Sequence, residues 1–300
     1  MKRSENYQLY SFYRFKKISN KIEIKNKLDR YIFKKCLKGT ILIAEEGING
    51  SVSGNIKELD KLLTIIRKTL NIRKLSLKKN NINFLPFNKM KIRLKTEIVS
   101  IGFEGLIKKK YKNNYIHPKD WDKFINNKNV KLIDVRNEYE ILIGRFNLSI
   151  NPNTKSFRNF PNKFPELGIK KNDKIAMYCT GGIRCEKASS YLQSKGFTKV
   201  YQLEGGILNY LEHNKKQLNS SWQGECFVFD KRVTVNRNLT QGKYLQCYGC
   251  RSPITEEMTF SVKYKKGVHC PLCFFERSNK QKANSTMRQK QIERKKISQV

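Results

Sequence analysis

The sequence predicts an α/β protein in three parts: an N-terminal α+β unit, a central unit built on a parallel sheet, and a cysteine-rich C-terminal module with a basic tail. Three observations predict it. Strand-like and helix-like stretches alternate through the first two thirds of the chain, the pattern of sheets layered against helices. Val130-Lys131-Leu132-Ile133-Asp134 is a near-continuous apolar run, as in a strand buried on both faces of a parallel sheet. Beyond residue 223 helical periodicity fades, and four cysteines appear as two Cys-x2-Cys pairs. The expected divisions are 1–112, 113–222 and 223–276, with a tail over 277–300.

In the first unit, residues 7–12 read as a strand, and Ile24, Leu28, Tyr31, Ile32 and Leu37 recur at helical spacing. Residues 40–44 form a second strand. Glu45-Glu46-Gly47-Ile48-Asn49-Gly50 then turns into a third at 51–53. Leu59, Leu62, Leu63 and Ile66 mark a second helix, and residues 90–95 alternate as a strand with one basic face. The order β-α-β-β-α-β predicts a ferredoxin-like domain. The basic face suits phosphates or, more commonly, solvent.

The middle unit begins near residue 115. Pro118 and Trp121 open a short helix, residues 138–143 are helical, and residues 151–168 form a long irregular segment with Pro152, Pro161 and Pro165. The apolar run Lys174-Ile175-Ala176-Met177-Tyr178 enters a Gly-rich loop, and a helical pattern leaves it. A strand over 200–203 and a helix from near Gly206 follow. In such sheets, sites form beyond the carboxyl ends of the strands, where Cys179 and Asp134 fall.

The formal net charge of +37 implies an anionic partner, nucleic acid being the usual one. The chain is also rich in Lys, Asn and Ile, so part of this excess is compositional, and a solvated lysine surface gives the same number. No apolar segment follows Met1-Lys2-Arg3-Ser4-Glu5-Asn6, and no apolar run is long enough to span a bilayer. These features lead us to expect a soluble, cytoplasmic chain with no membrane partner. Its eight cysteines then read as catalytic or metal-binding rather than as a disulfide framework.

Cys179-Thr180-Gly181-Gly182-Ile183-Arg184-Cys185 carries the chemistry. A cysteine between a strand end and a helix start faces backbone N–H groups and the positive end of the helix, both of which favour a thiolate. Thr180, Gly181, Gly182 and Ile183 supply the loop. Arg184 is suited equally to holding the loop together and to meeting a phosphate. Cys185 reads as a packing residue, with a resolving thiol as the alternative. Cys179 to Arg184 is Cys-x4-Arg, one residue shorter than the cradle phosphatases use on this kind of sheet, so phosphate-ester chemistry is disfavoured. Asp134 and Arg136 are expected to form an ion pair bracing the site. Arg145 is assigned no role.

Cys247, Cys250, Cys270 and Cys273 have the spacing of a four-thiolate zinc site, which would be structural because no coordination position stays open. A redox disulfide is the alternative. Cys226 and Cys36 are expected to be packing residues.

Asp134-Val135-Arg136, the 179–184 loop and Glu204-Gly205-Gly206-Ile207 together resemble a rhodanese domain. Longer blocks are more specific: Glu45 to Gly50, Asn151-Pro152-Asn153-Thr154-Lys155-Ser156-Phe157-Arg158, Met177 to Lys187, and Trp222-Gln223-Gly224-Glu225-Cys226-Phe227-Val228-Phe229-Asp230. With them the chain resembles the bacterial tRNA uridine(34) hydroxylase family from about residue 6 to 275. The resemblance implies oxygen-dependent hydroxylation of the wobble uridine to 5-hydroxyuridine, with tRNA as partner and molecular oxygen as co-substrate. It also implies that Cys179 is the catalytic, persulfide-forming cysteine. The sequence names no electron donor. It shows no flavin fingerprint, haem ligand set or iron triad, and nothing in it suggests DNA as a partner. Two alternatives stay open at this level: a sulfurtransferase acting on tRNA or another acceptor, and a non-enzymatic RNA-binding adaptor.

Overall fold

The computed structural model describes residues 7–103, 113–215 and 220–297, the side chains of 295–297 excepted. The extreme N-terminus, the first expected boundary and the last residues of the tail lie outside the described residues.

The N-terminal domain runs β1 (Tyr7–Phe15), α1 (Lys21–Ile32), β2 (Lys38–Ala44), β3 (Gly47–Asn55), α2 (Ile56–Leu70), β4 (Ser76–Ile82) and β5 (Met90–Leu94). Its sheet has the order β4-β1-β3-β2-β5. Leu28, Leu59, Leu62, Leu63 and Ile66 on the helices bury against Tyr10, Ile41, Ile43 and Val52 on the sheet. The helices are capped as their sequences suggest: the Asn20 and Asn55 side chains accept from Glu23 N and Lys57 N, satisfying first-turn donors.

The βαββαβ order holds, but its last strand is β4, not the 90–95 segment. That segment is a fifth strand, parallel to β2 at the opposite edge. Ser-Leu-Lys-Lys-Asn-Asn-Ile in β4 has almost no apolar alternation, because an edge strand needs little of it. Strand β3 begins at Gly47, so the turn before it is only Glu45–Glu46. Leu37 lies past α1 but still enters the core. Cys36 beside it is exposed rather than packed, because Leu37 takes the inward position.

The central domain runs β6 (Asn114–Ile116), α3 (Pro118–Ile125), β7 (Val130–Asp134), α4 (Glu138–Ile141), β8 (Gly144–Phe146), α5 (Phe160–Lys163), β9 (Lys174–Tyr178), α6 (Ile183–Ser194), β10 (Val200–Leu203) and α7 (Gly206–His213). Strands β6-β10-β9-β7 form a wholly parallel sheet. Successive side chains of β9 serve two cores: Ile175 and Met177 pack with α6 and the α5 region, and Ala176 and Tyr178 with α3 and α7. Within the 151–168 segment, residues 157–167 are less irregular than its prolines suggested. They form two single 3₁₀ turns flanking α5, anchored by buried Phe157, Phe160 and Phe164.

Strand β11 (Trp222–Gly224) pairs antiparallel with β8, so the chain folds back onto the central domain. Two small hairpins follow, β12 (Cys226–Phe227) with β13 (Thr234–Val235), and β14 (Leu245–Gln246) with β15 (Pro253–Ile254). The tail is helical, as α8 (Asn279–Ile297). Arg277 and Arg288 donate to the carbonyls of Gly249, Tyr248 and Gly267, fastening this end to the cysteine module. No helix among the described residues is long and apolar enough to cross a membrane.

Candidate active site and four-cysteine cluster

Cys179 follows β9 directly, and α6 starts four residues later. Gly182 closes the loop at φ 92°, a left-handed conformation that glycine adopts without strain. This turn aims the Gly182 N–H at the Cys179 sulfur, 3.1 Å away. Arg184 N–H and Cys185 N–H face the same sulfur, and the Cys185 thiol donates to it. Burial alone raises the pKa of Cys179. The Cys185 bond, the Arg184 charge and the two N–H groups outweigh it and bring the thiol down to about 6. Burial and donation to Cys179 push Cys185 the other way, well above an ordinary thiol. Cys185 therefore holds a proton against the thiolate as well as packing in the core.

The next crossover supports the loop. Ile207 N–H and Leu208 N–H, at the start of α7, donate to the carbonyls of Cys179 (2.9 Å) and Thr180 (3.1 Å). A Cβ on Gly206 would lie 2.5 Å from the Cys179 carbonyl oxygen, so only glycine lets α7 approach this closely. The Glu204-Gly205-Gly206-Ile207 block is thus explained by backbone contact with the loop. On the other side, a Cβ on Gly181 would meet nothing within 4 Å. The loop is open there, although Cys179 itself is 0% exposed.

Arg184 is held by Glu140 on α4, with Nη1–Oε2 at 2.6 Å and Nη2–Oε1 at 2.8 Å, and it also donates to Thr180 Oγ1 at 3.3 Å. Glu140 is fully buried. Burial raises its pKa, and the Arg184 charge and hydrogen bonds overcome this and leave it below an ordinary carboxyl. Arg184 thus serves the loop, its fork committed to a carboxylate. The sequence reading missed Glu140. Its signal was the capping box Asn137-x-x-Glu140, in which the Glu140 side chain accepts from Asn137 N–H.

Asp134 and Arg136 form a fully buried pair, Nη2–Oδ2 at 2.6 Å, and Arg136 also donates to the carbonyls of Glu140 and Gly144. Trp222 covers the guanidinium, 5.2 Å from ring centroid to Cζ. The pair ties β7, α4 and β8 together. Cys226 is buried, with its thiol pushed up to about 12 by burial. Arg145 is exposed. Phe229, from the last block of the resemblance, is 64% exposed, with its ring 5.9 Å from the Arg184 guanidinium.

The N-terminal domain reaches the same helix. Buried Lys187 pairs with Glu46 (2.8 Å) and with Glu97. The Glu45-to-Gly50 block and the Cys185-Glu186-Lys187 stretch therefore meet across the domain boundary, which neither block shows alone.

The sulfurs of Cys247, Cys250, Cys270 and Cys273 all lie within 4.8 Å of one another. Cys270–Cys273, Cys250–Cys270 and Cys247–Cys273 are 3.8, 3.9 and 4.0 Å apart. A Cβ on Gly249, inside the first Cys-x2-Cys pair, would lie 2.1 Å from the Val268 carbonyl oxygen, so glycine brings the two pairs together. The cluster is arranged to hold one metal ion.

A parallel sheet with a backbone-cradled cysteine between strand and helix defines the central domain as rhodanese-like, and residues 117–213 match the rhodanese-like domain family. Residues 7–98 match the UPF0176 acylphosphatase like domain. A protein of Pelagibacter ubique (strain HTCC1062) named tRNA uridine(34) hydroxylase is 45% identical over 289 residues, covering 95% of this chain and 94% of the relative. The chain belongs to the tRNA uridine(34) hydroxylase family. Among solved structures, a rhodanese-related protein from Thermoplasma volcanium is 25% identical, covering 33% of this chain and 92% of its own, with a TM-score of 0.28. A rhodanese-like domain protein from Staphylococcus aureus is 23% identical, covering 32% and 90%, with a TM-score of 0.28.

Proposed function

We propose that this chain is an enzyme that hydroxylates uridine 34 of tRNA, giving 5-hydroxyuridine with oxygen as co-substrate, and that Cys179 is the reacting sulfur. The observation that carries the reading is the Cys179 loop. One sulfur receives the Gly182 N–H at 3.1 Å, the Cys185 thiol and the start of α6, so that it is a thiolate near neutral pH.

The uracil ring is electrophilic at C6. The thiolate adds there, forming the S–C6 bond and moving the ring's electron pair toward C5 and the O4 carbonyl. C5 then forms its bond to one oxygen atom of molecular oxygen. The C5 proton is lost and the S–C6 bond breaks to return the thiolate, while the other oxygen atom leaves as water with two electrons supplied by a separate reductant. The base reaches the loop on the open Gly181 side, splayed out of its strand as chemistry on a base requires. Glu140 keeps Arg184 fixed beside the sulfur, supplying positive charge without a mobile side chain. The net charge of +37 supports a tRNA partner bound through its phosphates, in a cytoplasmic setting.

For the four-cysteine cluster we propose structural zinc. A tetrahedral zinc with bonds of about 2.3 Å sets its sulfurs roughly 3.8 Å apart; three of the sulfur pairs lie 3.8 to 4.0 Å apart and all four sulfurs lie within 4.8 Å of one another.

The test is Cys179→Ala in cells, with tRNA nucleosides measured by mass spectrometry. Loss of 5-hydroxyuridine is expected. Unchanged 5-hydroxyuridine sinks the assignment, and a thiolated nucleoside made by the wild type in its place would make the protein a sulfurtransferase.

A further inference from the structure

Phe229 stands in the turn of the β12–β13 hairpin. Its neighbours Phe227 and Val228 are buried, while Phe229 itself is 64% exposed. A lone exposed phenylalanine signifies little. This one is fixed beside the Cys179 loop. Its ring centroid lies 5.9 Å from the Arg184 guanidinium carbon, and Arg184 donates at 3.3 Å to Oγ1 of Thr180, the residue after Cys179.

The hairpin is a stiff mount. Val228 N–H donates to the Val233 carbonyl at 2.9 Å, and Val233 N–H to the Asp230 carbonyl at 3.0 Å. Within the turn Asp230 and Arg232 form a buried ion pair, Nη2–Oδ2 at 2.7 Å. Lys231 N–H reaches the Pro86 carbonyl, between β4 and β5, at 3.0 Å. Val233 is held at φ 65°, a left-handed conformation that a β-branched residue adopts only where its surroundings impose it. The Phe229 ring also meets Phe227 edge to face, centroids 5.1 Å apart.

Arg184 does not depend on this ring. Its donors are committed to Glu140 and Thr180, and a cation–π contact at an exposed ring adds little. The loop, in contrast, lacks what the ring offers. Thr180, Gly181 and Gly182 carry no planar side chain. A base drawn out of its strand loses the stacking of its neighbours. A preorganised, exposed aromatic ring replaces that stacking, and the loop alone cannot.

We propose that Phe229 is a stacking platform for a nucleobase of single-stranded RNA at the Cys179 loop. It sets affinity for the anticodon loop of tRNA rather than the reactivity of the sulfur. Stacking needs only a π face, so the ring holds either the reacting base or one beside it. The idea rests on the Cys179 loop being the place where tRNA is modified.

Full-length wild type, Phe229→Ala, Phe229→Trp and Phe229→Leu test it by fluorescence anisotropy with an anticodon stem-loop RNA carrying uridine 34, at one fixed salt concentration. Phe229→Ala is expected to raise Kd at least about fivefold, Phe229→Trp to stay within about twofold of wild type, and Phe229→Leu to resemble Phe229→Ala. Stem-loops abasic at position 34, or at the position on either side of it, locate the partner. The wild-type advantage over Phe229→Ala should vanish on one of them: the first if the ring holds the reacting base, another if it holds a neighbour. The pH midpoint of Cys179 alkylation by iodoacetamide without RNA should not move in Phe229→Ala. An unchanged Kd in Phe229→Ala, full rescue by Phe229→Leu, an equal loss on every abasic RNA or a shifted alkylation midpoint would each overturn the proposal; the last three are the behaviour of a side chain that only covers Arg184. A wild type that makes no 5-hydroxyuridine, while its binding advantage still vanishes on one abasic RNA, would support the platform and overturn the hydroxylase reading alone.

Discussion

Cys179 and the four C-terminal cysteines are the same residue type in opposite surroundings. At Cys179 a single sulfur is fully buried and its partners are backbone N–H groups, one thiol and a nearby guanidinium. Its charge is stabilised in place while the loop stays open on the Gly181 side. At Cys247, Cys250, Cys270 and Cys273 each sulfur lies within 4.8 Å of the three others. A metal there would satisfy four thiolates at once and leave no open position. We propose that the first environment makes a reactive sulfur and the second a closed structural site. Cys36 provides a third case, exposed and outside both.

The largest expected effect separates the first two environments. Removing the metal with a chelator, or Cys247→Ser, should unfold the cysteine module, because structural zinc sites contribute on the order of 10 kcal/mol of folding free energy. Cys179 alkylation should keep its low midpoint, since none of its partners comes from that module. Metal release and circular dichroism follow the first effect, and peptide-resolved alkylation the second. If the midpoint rises with metal loss, the two sites are coupled and the comparison fails.

Glu140→Gln probes the support of the reactive loop. It leaves Arg184 buried against a neutral partner, which should cost about 3–5 kcal/mol in denaturant unfolding. The carboxyl group is held below its ordinary pKa in the folded protein, so its stabilisation is present above the unfolded value and is lost as pH falls through the folded one. The stability gap between wild type and Glu140→Gln should therefore narrow in acid. Cys36→Ser should change stability by less than about 0.5 kcal/mol, as for a surface position.

The contrast was partly legible in the sequence. The strand–loop–helix reading placed Cys179, because β9 is a continuous apolar run and Gly181-Gly182 punctuates it. The two Cys-x2-Cys pairs announced a cluster through spacing alone. Glu140 was not found, since a four-residue helix has too short a period to show which side chain turns inward. Strand β4 was passed over because an edge strand of Lys and Asn has no buried face to write a pattern. The contacts of Tyr13 and Glu46 with α6 join residues more than a hundred positions apart, and no local period reports them.

The measurement that tests the central claim most directly is the pH titration of alkylation, peptide by peptide, on the metal-loaded protein. The expected result is a Cys179 peptide that reacts with a midpoint of about 6, slowing as pH falls through that value, while the four module cysteines stay protected until the metal is removed. A Cys179 midpoint near the ordinary thiol value of 9.0, or Cys179 reacting no faster than the module cysteines, would contradict the account of Cys179 as the reactive thiolate.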